Sequence, residues 1–156
     1  MSKISFAAAL VAALGFSVLT ATEASAGNPL QFGHIQYNSP GTDNTKNLNG
    51  EYVVIKNTGS YAINLKGMRV ADAVGHTYVF PSFVVASKRA VTLHTGKGTN
   101  RPGHLYWNSG WHIWNNAKPG DVARLKYPSP SKAISDTCSW PGDNSKQQPG
   151  YVVCKP

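Results

Sequence analysis

Short runs of β-forming residues, each closed by a turn signal, follow one another through residues 50–138. The clearest runs are residues 52–55, 90–93 and 122–125, which are rich in β-branched and aromatic side chains. Turn signals at a spacing of roughly 8–12 residues, with alternating polar and apolar positions, are typical of a sandwich or barrel. After the N-terminal leader no stretch shows a sustained helical stripe of apolar residues. The sequence therefore predicts one all-β domain, an antiparallel β-sandwich.

The first 26 residues have the features of a secretory signal peptide. Lys3 supplies the positive charge, residues 4–19 form an apolar run, and Ala24-Ser25-Ala26 supplies the small-x-small pattern of a cleavage site. We expect cleavage after Ala26 and a mature chain of residues 27–156 that is secreted or associated with the cell surface. A retained N-terminal anchor is the alternative, although the apolar run is short for a membrane span. The mature chain contains no second run of that kind, and we expect a monomer.

The two cysteines, Cys138 and Cys154, both lie in the mature chain. An even number in an exported protein favours one disulfide. A zinc site needs more ligands, and a redox pair is usually closer in sequence. We therefore expect a sandwich over residues 27–140, followed by a C-terminal tail, residues 141–156, that the disulfide holds in place.

The formal net charge is +8, which in a small exported domain favours acidic partners. Nucleic acid, teichoic-type wall polymers and anionic lipid surfaces all fit that description. The lysines and arginines are scattered rather than grouped in one run. A solvated basic surface without a specific partner is therefore the other interpretation.

Residues 49–59, with the sequence NGEYVVIKNTG, resemble the opening strand of the lamin tail domain, especially in its secreted actinobacterial members. Further matches follow in the family's order at residues 65–67, 76–81, 91–98, 105–107 and 120–125. The likeness spans about residues 31–140 and depends on the ordered set of matches rather than on any single one. One departure is Met68, where the family usually has a tryptophan.

The resemblance implies an immunoglobulin-like sandwich without a catalytic centre. In animal lamins this module binds proteins and chromatin, whereas bacterial members occur alone or beside hydrolases. A shared fold is weak support for a shared function, so the resemblance does not by itself identify a partner.

Catalytic and metal-binding patterns are weak in this sequence. The five histidines, His34, His76, His94, His104 and His112, form no His-x-x-x-His pair and no zinc-finger spacing. No Gly-x-Ser-x-Gly motif is present, and the few carboxylates are spread over turns and strand ends. Residues 95–99 look like a phosphate loop but lack its first glycine. We expect no enzyme activity, metal or cofactor. A small hydrolase is the alternative, but the sequence lacks the clustered carboxylates that such an enzyme would use.

An aromatic insert at residues 105–116 is the sharpest functional signal. Exposed aromatic rings beside amide side chains suit stacking on sugars or unpaired bases. Large aromatic residues dominate small β cores, so we expect Trp107 and Trp114 in the core and Trp111 as the exposed member, with an exposed stacking surface as the alternative. Together with nearby basic residues, the candidate binding residues are Lys97, Arg101, Tyr106, Trp107, Trp111 and Trp114.

These observations predict a non-catalytic binding or structural module. Its expected partner is an acidic polymer, either extracellular nucleic acid or a cell-wall polymer, or else an envelope protein. A carbohydrate-binding module that uses the aromatic insert on a polysaccharide is the alternative.

Overall fold

The computed structural model describes residues 28–142 and 150–155. The predicted signal peptide and its cleavage site lie outside the described residues. Among those described, no helix has the length and apolar character needed to cross a membrane. Apart from a short 3-10 helix at Leu48–Gly50, the elements are β1 (Leu30–Gln36), β2 (Tyr52–Asn57), β3 (Ile63–Asn64), β4 (Arg69–Ala71), β5 (Thr77–Val79), β6 (Val84–Val85), β7 (Ala90–His94), β8 (His104–Tyr106), β9 (Asp121–Lys126), β10 (Ile134–Trp140) and β11 (Tyr151–Val153).

The strands form two main sheets with one core between them. The five-stranded sheet has the order β11-β1-β2-β7-β8, and the four-stranded sheet has the order β10-β9-β4-β5. Strands β3 and β6 pair separately. Buried side chains from both main sheets form one apolar cluster. The prediction of an all-β, immunoglobulin-like antiparallel β-sandwich is confirmed.

Alternation along the strands decides which side chains enter this core. In β2, Val53 and Ile55 are buried, whereas Tyr52 and Val54 are half-buried on the opposite face. Successive side chains of a strand point to opposite faces, so Tyr52 and Val54 belong to the outer face of the sheet. The neighbouring strands follow the same rule and contribute the buried side chains Ile35, Val91, Leu93 and Leu105.

Met68, which stands where the lamin tail pattern has a tryptophan, is a core residue with 4% of its surface exposed. Its backbone N–H donates to the carbonyl of Leu65, and its carbonyl accepts from the N–H of Phe80. The flexible methionine side chain adapts to irregular gaps in a core. The substitution therefore leaves the core continuous.

Residues 151–153 near the end of the chain add a strand to the sandwich. β11 pairs antiparallel with β1, with Ile35 opposite Val152. Cys138 lies in β10 of the four-stranded sheet, and Cys154 directly follows β11 of the five-stranded sheet. The disulfide between these two cysteines is present, and it joins the two sheets.

One strand pair departs from the antiparallel pattern. β7 and β8 run parallel, with Leu93 opposite Leu105. The connection between them ends in a tight turn, in which Arg101 and His104 exchange two backbone hydrogen bonds of 2.9 Å. Gly103 adopts a φ of +79° in this turn, a conformation that glycine reaches without strain.

Candidate binding site

Two of the predicted binding residues belong to the core. Trp114 is 4% exposed, and Trp107 is half-buried and packed against the core cluster. Their rings meet edge to face with centres 6.1 Å apart, and Trp114 meets Trp140 in the same way at 5.9 Å. Trp114, one of the candidate binding residues, is therefore a core residue, because almost none of its surface is exposed. The interpretation of both tryptophans as core residues is the one the structure supports.

Trp111 is exposed over 65% of its surface, as expected. The backbone around it is fixed, because the Ser109 hydroxyl donates to the Trp111 carbonyl at 2.6 Å and accepts from the Trp111 N–H at 3.1 Å. The Ser109 N–H in turn donates to the carbonyl of Thr95. Trp111 is thus a large apolar side chain held in solvent by a well-anchored loop, residues 107–116, which we call the aromatic loop.

Glu51 is the buried anchor of the aromatic loop. Its Oε1 accepts hydrogen bonds of 2.7 Å from the Thr95 hydroxyl and from the Ile113 N–H. Its Oε2 is buried without a hydrogen-bond partner among the described residues. Burial raises the pKa of Glu51 from 4.5 to about 7, against the lowering effect of these hydrogen bonds. Because this carboxyl is closed off from solvent, it ties the loop to β2 rather than meeting a ligand.

Lys97 and Arg101 lie in the exposed connection between β7 and β8. The Asn49 side-chain amide donates to the Lys97 carbonyl at 2.8 Å, which fixes this part of the connection. The Gly98 N–H donates to the side chain of Asn108, so the segment that resembles a phosphate loop already uses that amide within the protein. A cleft of about 400 Å³ opens beside it, lined by Thr45, Lys46, Leu48, Asn49, Lys97, Ser109 and Gly110.

Tyr106 belongs to a row of rings that crosses the whole outer face of the five-stranded sheet. From β11 to β8, ring centres are separated by 5.0 Å between Tyr151 and His34, 5.6 Å between His34 and Tyr52, 5.9 Å between Tyr52 and His94, and 5.0 Å between His94 and Tyr106. Every strand of the sheet contributes one of these rings. We call this surface the Tyr–His face; its members are His34, Tyr52, His94, His104, Tyr106 and Tyr151.

The Tyr–His face contains no carboxylate in its strands and is bordered by positive charge at two places. None of its five strands, all within the described residues, contains an aspartate or a glutamate. Lys56 lies on the same side of β2 as Tyr52, and its side chain lies across Gly33, so closely that a Cβ there would sit 2.2 Å from Cε of the lysine. Lys97 and Arg101, in the connection between β7 and β8, border the other end of the face, near Tyr106.

The remaining histidines do not join this surface. His76 pairs with Asp72 at 2.5 Å within the β4–β5 turn. Nε2 of His112 lies 3.3 Å from the Ser39 hydroxyl and 3.7 Å from Asp43. Across residues 28–142 and 150–155, no group of three or more histidine, cysteine or acidic side chains is placed to hold a metal ion.

The model of the lamin tail domain family matches residues 23–142 of this chain. The chain therefore belongs to the lamin tail domain family, a family of non-enzymatic immunoglobulin-like modules. The match ends before β11 and Cys154, so the last strand and the second half of the disulfide lie outside the matched region. No curated protein matches the chain.

Proposed function

We propose that this protein is an exported, non-catalytic lamin tail module that binds an acidic polymer across the Tyr–His face. The observation that carries the proposal is the continuous row of tyrosine and histidine rings on five strands that contain no carboxylate. Export through residues 1–26 and the secreted actinobacterial type of the family are part of the same proposal. We also propose that the protein acts as a monomer.

Charge is the first argument for an acidic polymer. A surface that lacks carboxylates and is bordered by Lys56, Lys97 and Arg101 attracts phosphate or carboxylate groups without local repulsion. Each cation that neutralises a polymer charge releases a bound counterion, which makes such binding sensitive to salt. The net charge of +8 acts in the same direction over longer distances.

The arrangement of the rings is the second argument. His34 and Tyr151 have nearly parallel planes, at 19°, with centres only 5.0 Å apart, and His94 and Tyr106 stack similarly at 18°. Rings packed in this way turn their faces toward each other rather than toward solvent. The face therefore offers hydroxyl and imidazole groups for hydrogen bonds more readily than it offers ring faces for stacking. This arrangement of rings favours hydrogen bonding to the charged and hydroxyl groups of a polymer rather than stacking on bases.

Salt dependence tests the proposal directly. The purified protein is expected to be retained on immobilised DNA or teichoic-type polymer, with the logarithm of affinity falling linearly with the logarithm of salt concentration. Lys97→Ala and Arg101→Ala are each expected to reduce that slope by about one. Lys132→Ala, which removes an exposed lysine between β9 and β10 of the other sheet, is the matched control and should have a smaller effect. Retention that does not change with salt contradicts the proposal.

Carbohydrate binding is a second candidate because Trp111 is exposed and rigidly presented. Trp111→Ala is expected to abolish retention on insoluble polysaccharide, where the indole supplies the stacking surface. The same change should alter the free energy of unfolding by less than about 0.5 kcal/mol, because the side chain is mostly in solvent. Affinity for polysaccharide that is unchanged in the variant excludes this candidate.

A further inference from the structure

Two histidines of the Tyr–His face are joined head to head. Nε2 of His94 lies 3.0 Å from Nδ1 of His104, while the ring centres are 5.3 Å apart and the planes differ by 16°. The ring centres are much farther apart than the two nitrogens, so each ring points its nitrogen at the other ring. Because the planes are also nearly parallel, the two rings lie side by side in nearly one plane. One proton therefore occupies the line between the two nitrogens.

The position of that proton follows from a third group. Nδ1 of His94 lies 3.2 Å from the carbonyl oxygen of Asn49, which can only accept a hydrogen bond. Nδ1 of His94 therefore carries a hydrogen, and Nε2 of the neutral ring is bare. That bare nitrogen accepts from Nδ1–H of His104, which leaves Nε2 of His104 as the free basic nitrogen of the pair.

Arg101 lies on the same side of the sheet as His104. Arg101 and His104 are direct partners across the tight turn, so their side chains project to the same side. Because Leu105 is buried, the neighbouring His104 lies on the outer face with Tyr106. The side chains of Arg101 and His104 thus leave the same edge of the sheet on the same side.

We propose that Arg101 and His104, with His94 behind them, form an anion subsite that binds a phosphate, sulfate or carboxylate group of the polymer when the histidine pair takes up one proton. The proton adds to Nε2 of His104 and converts it into a charged donor, while Nδ1–H of His104 continues to donate to His94. The subsite is one part of the proposed polymer-binding surface, and the inference rests on the proposed function.

The surroundings of the pair favour one proton rather than two. Burial lowers the pKa of His94, and repulsion from His104 and Arg101 adds to that effect, although the hydrogen bond to Asn49 opposes it. The titratable and charged groups near the pair are Tyr52 on β2, Tyr106 on β8 and Arg101 on the turn. The five strands contribute no carboxylate. The added charge is therefore left for a ligand.

Nitrogen NMR of the imidazole rings tests the proton assignment. At pH 8 both His94 and His104 are expected to carry their hydrogen on Nδ1, and on acidification His104 should gain the first proton at Nε2. Either ring with its hydrogen on Nε2 at pH 8 overturns the assignment and the subsite with it.

Binding to dextran sulfate tests the subsite, because the charge of this polymer is constant between pH 5.5 and pH 8. The protein is expected to bind roughly fivefold more tightly at pH 5.5, about the contribution of one exposed ion pair, and the salt slope should be larger by about one. His104→Gln should remove most of this pH dependence. His112→Gln, which changes a histidine outside the face, should preserve it.

The outcomes separate the two claims. Binding at both pH values without a difference between them overturns the subsite and leaves the proposed function standing. A pH effect that survives in His104→Gln also overturns the subsite, because another titrating group then causes it. Binding at neither pH overturns the proposed function together with the subsite.

Discussion

Glu51→Ala is expected to lower the free energy of unfolding by about 3 kcal/mol, because it leaves the Thr95 hydroxyl and the Ile113 N–H without their acceptor inside the protein. Chemical denaturation at constant pH measures this loss. The aromatic loop should also exchange its amide hydrogens faster, since Ile113 is one of the positions that hold it to β2. A variant as stable as the original protein would show that the loop is held by other contacts.

Glu51→Gln isolates the effect of the charge. The folded-state pKa of Glu51 is raised from 4.5 to about 7, so the folded protein holds this proton more tightly than the unfolded chain does. The resulting stabilisation is present below about pH 4.5 and is lost as the pH rises through about 7, a change of about 3 kcal/mol. The stability of Glu51→Gln relative to the original protein should therefore rise by about that amount between pH 4.5 and pH 7.5. A difference that stays constant over this range contradicts the raised pKa.

Removing the disulfide is the second change with a large expected effect. Replacing Cys138 and Cys154 by serine is expected to cost about 3 kcal/mol of stability, since the bond closes a separation of 16 residues and joins the two sheets. β11 should be the first strand to lose protection in hydrogen exchange, because among the described strands only β1 pairs with it and it is three residues long. Thermal unfolding with and without reductant gives the measurement.

The double serine variant is also the control for that experiment. Reductant should lower the melting temperature of the original protein toward that of the variant and leave the variant unchanged. Equal melting temperatures for the oxidised protein and the variant would mean that the sheets do not need this covalent link.

Most of the scaffold could be predicted because local sequence encodes it. β2 is rich in β-branched residues and follows the turn signal Asn49-Gly50. Its core residues Val53 and Ile55 alternate with outward residues, as expected for a half-buried strand. β11 could not be predicted in the same way. It is only three residues long, and its place in the sheet depends on pairing with β1, far away in the chain. The parallel arrangement of β7 and β8 is likewise set by tertiary pairing that no local pattern reveals.

The candidate binding site was predictable only in part, for the same reason. Lys97, Arg101 and Tyr106 were proposed from sequence, and the structure places all three at one end of the Tyr–His face. The other members, such as His34 and Tyr151, become neighbours only through strand order. One signal was available, because His34, Tyr52 and His94 each lie next to core positions in their own strands.

Amide chemical-shift mapping tests the central claim most directly. A short oligomer of an acidic polymer, such as an oligonucleotide or a sulfated oligosaccharide, is titrated into the isotope-labelled protein. The shifts are expected to concentrate on the outward residues of β11, β1, β2, β7 and β8 and on the turn that contains Arg101, and to fade with added salt. Shifts confined to the four-stranded sheet or to the aromatic loop around Trp111, with the Tyr–His face unaffected, would contradict the account.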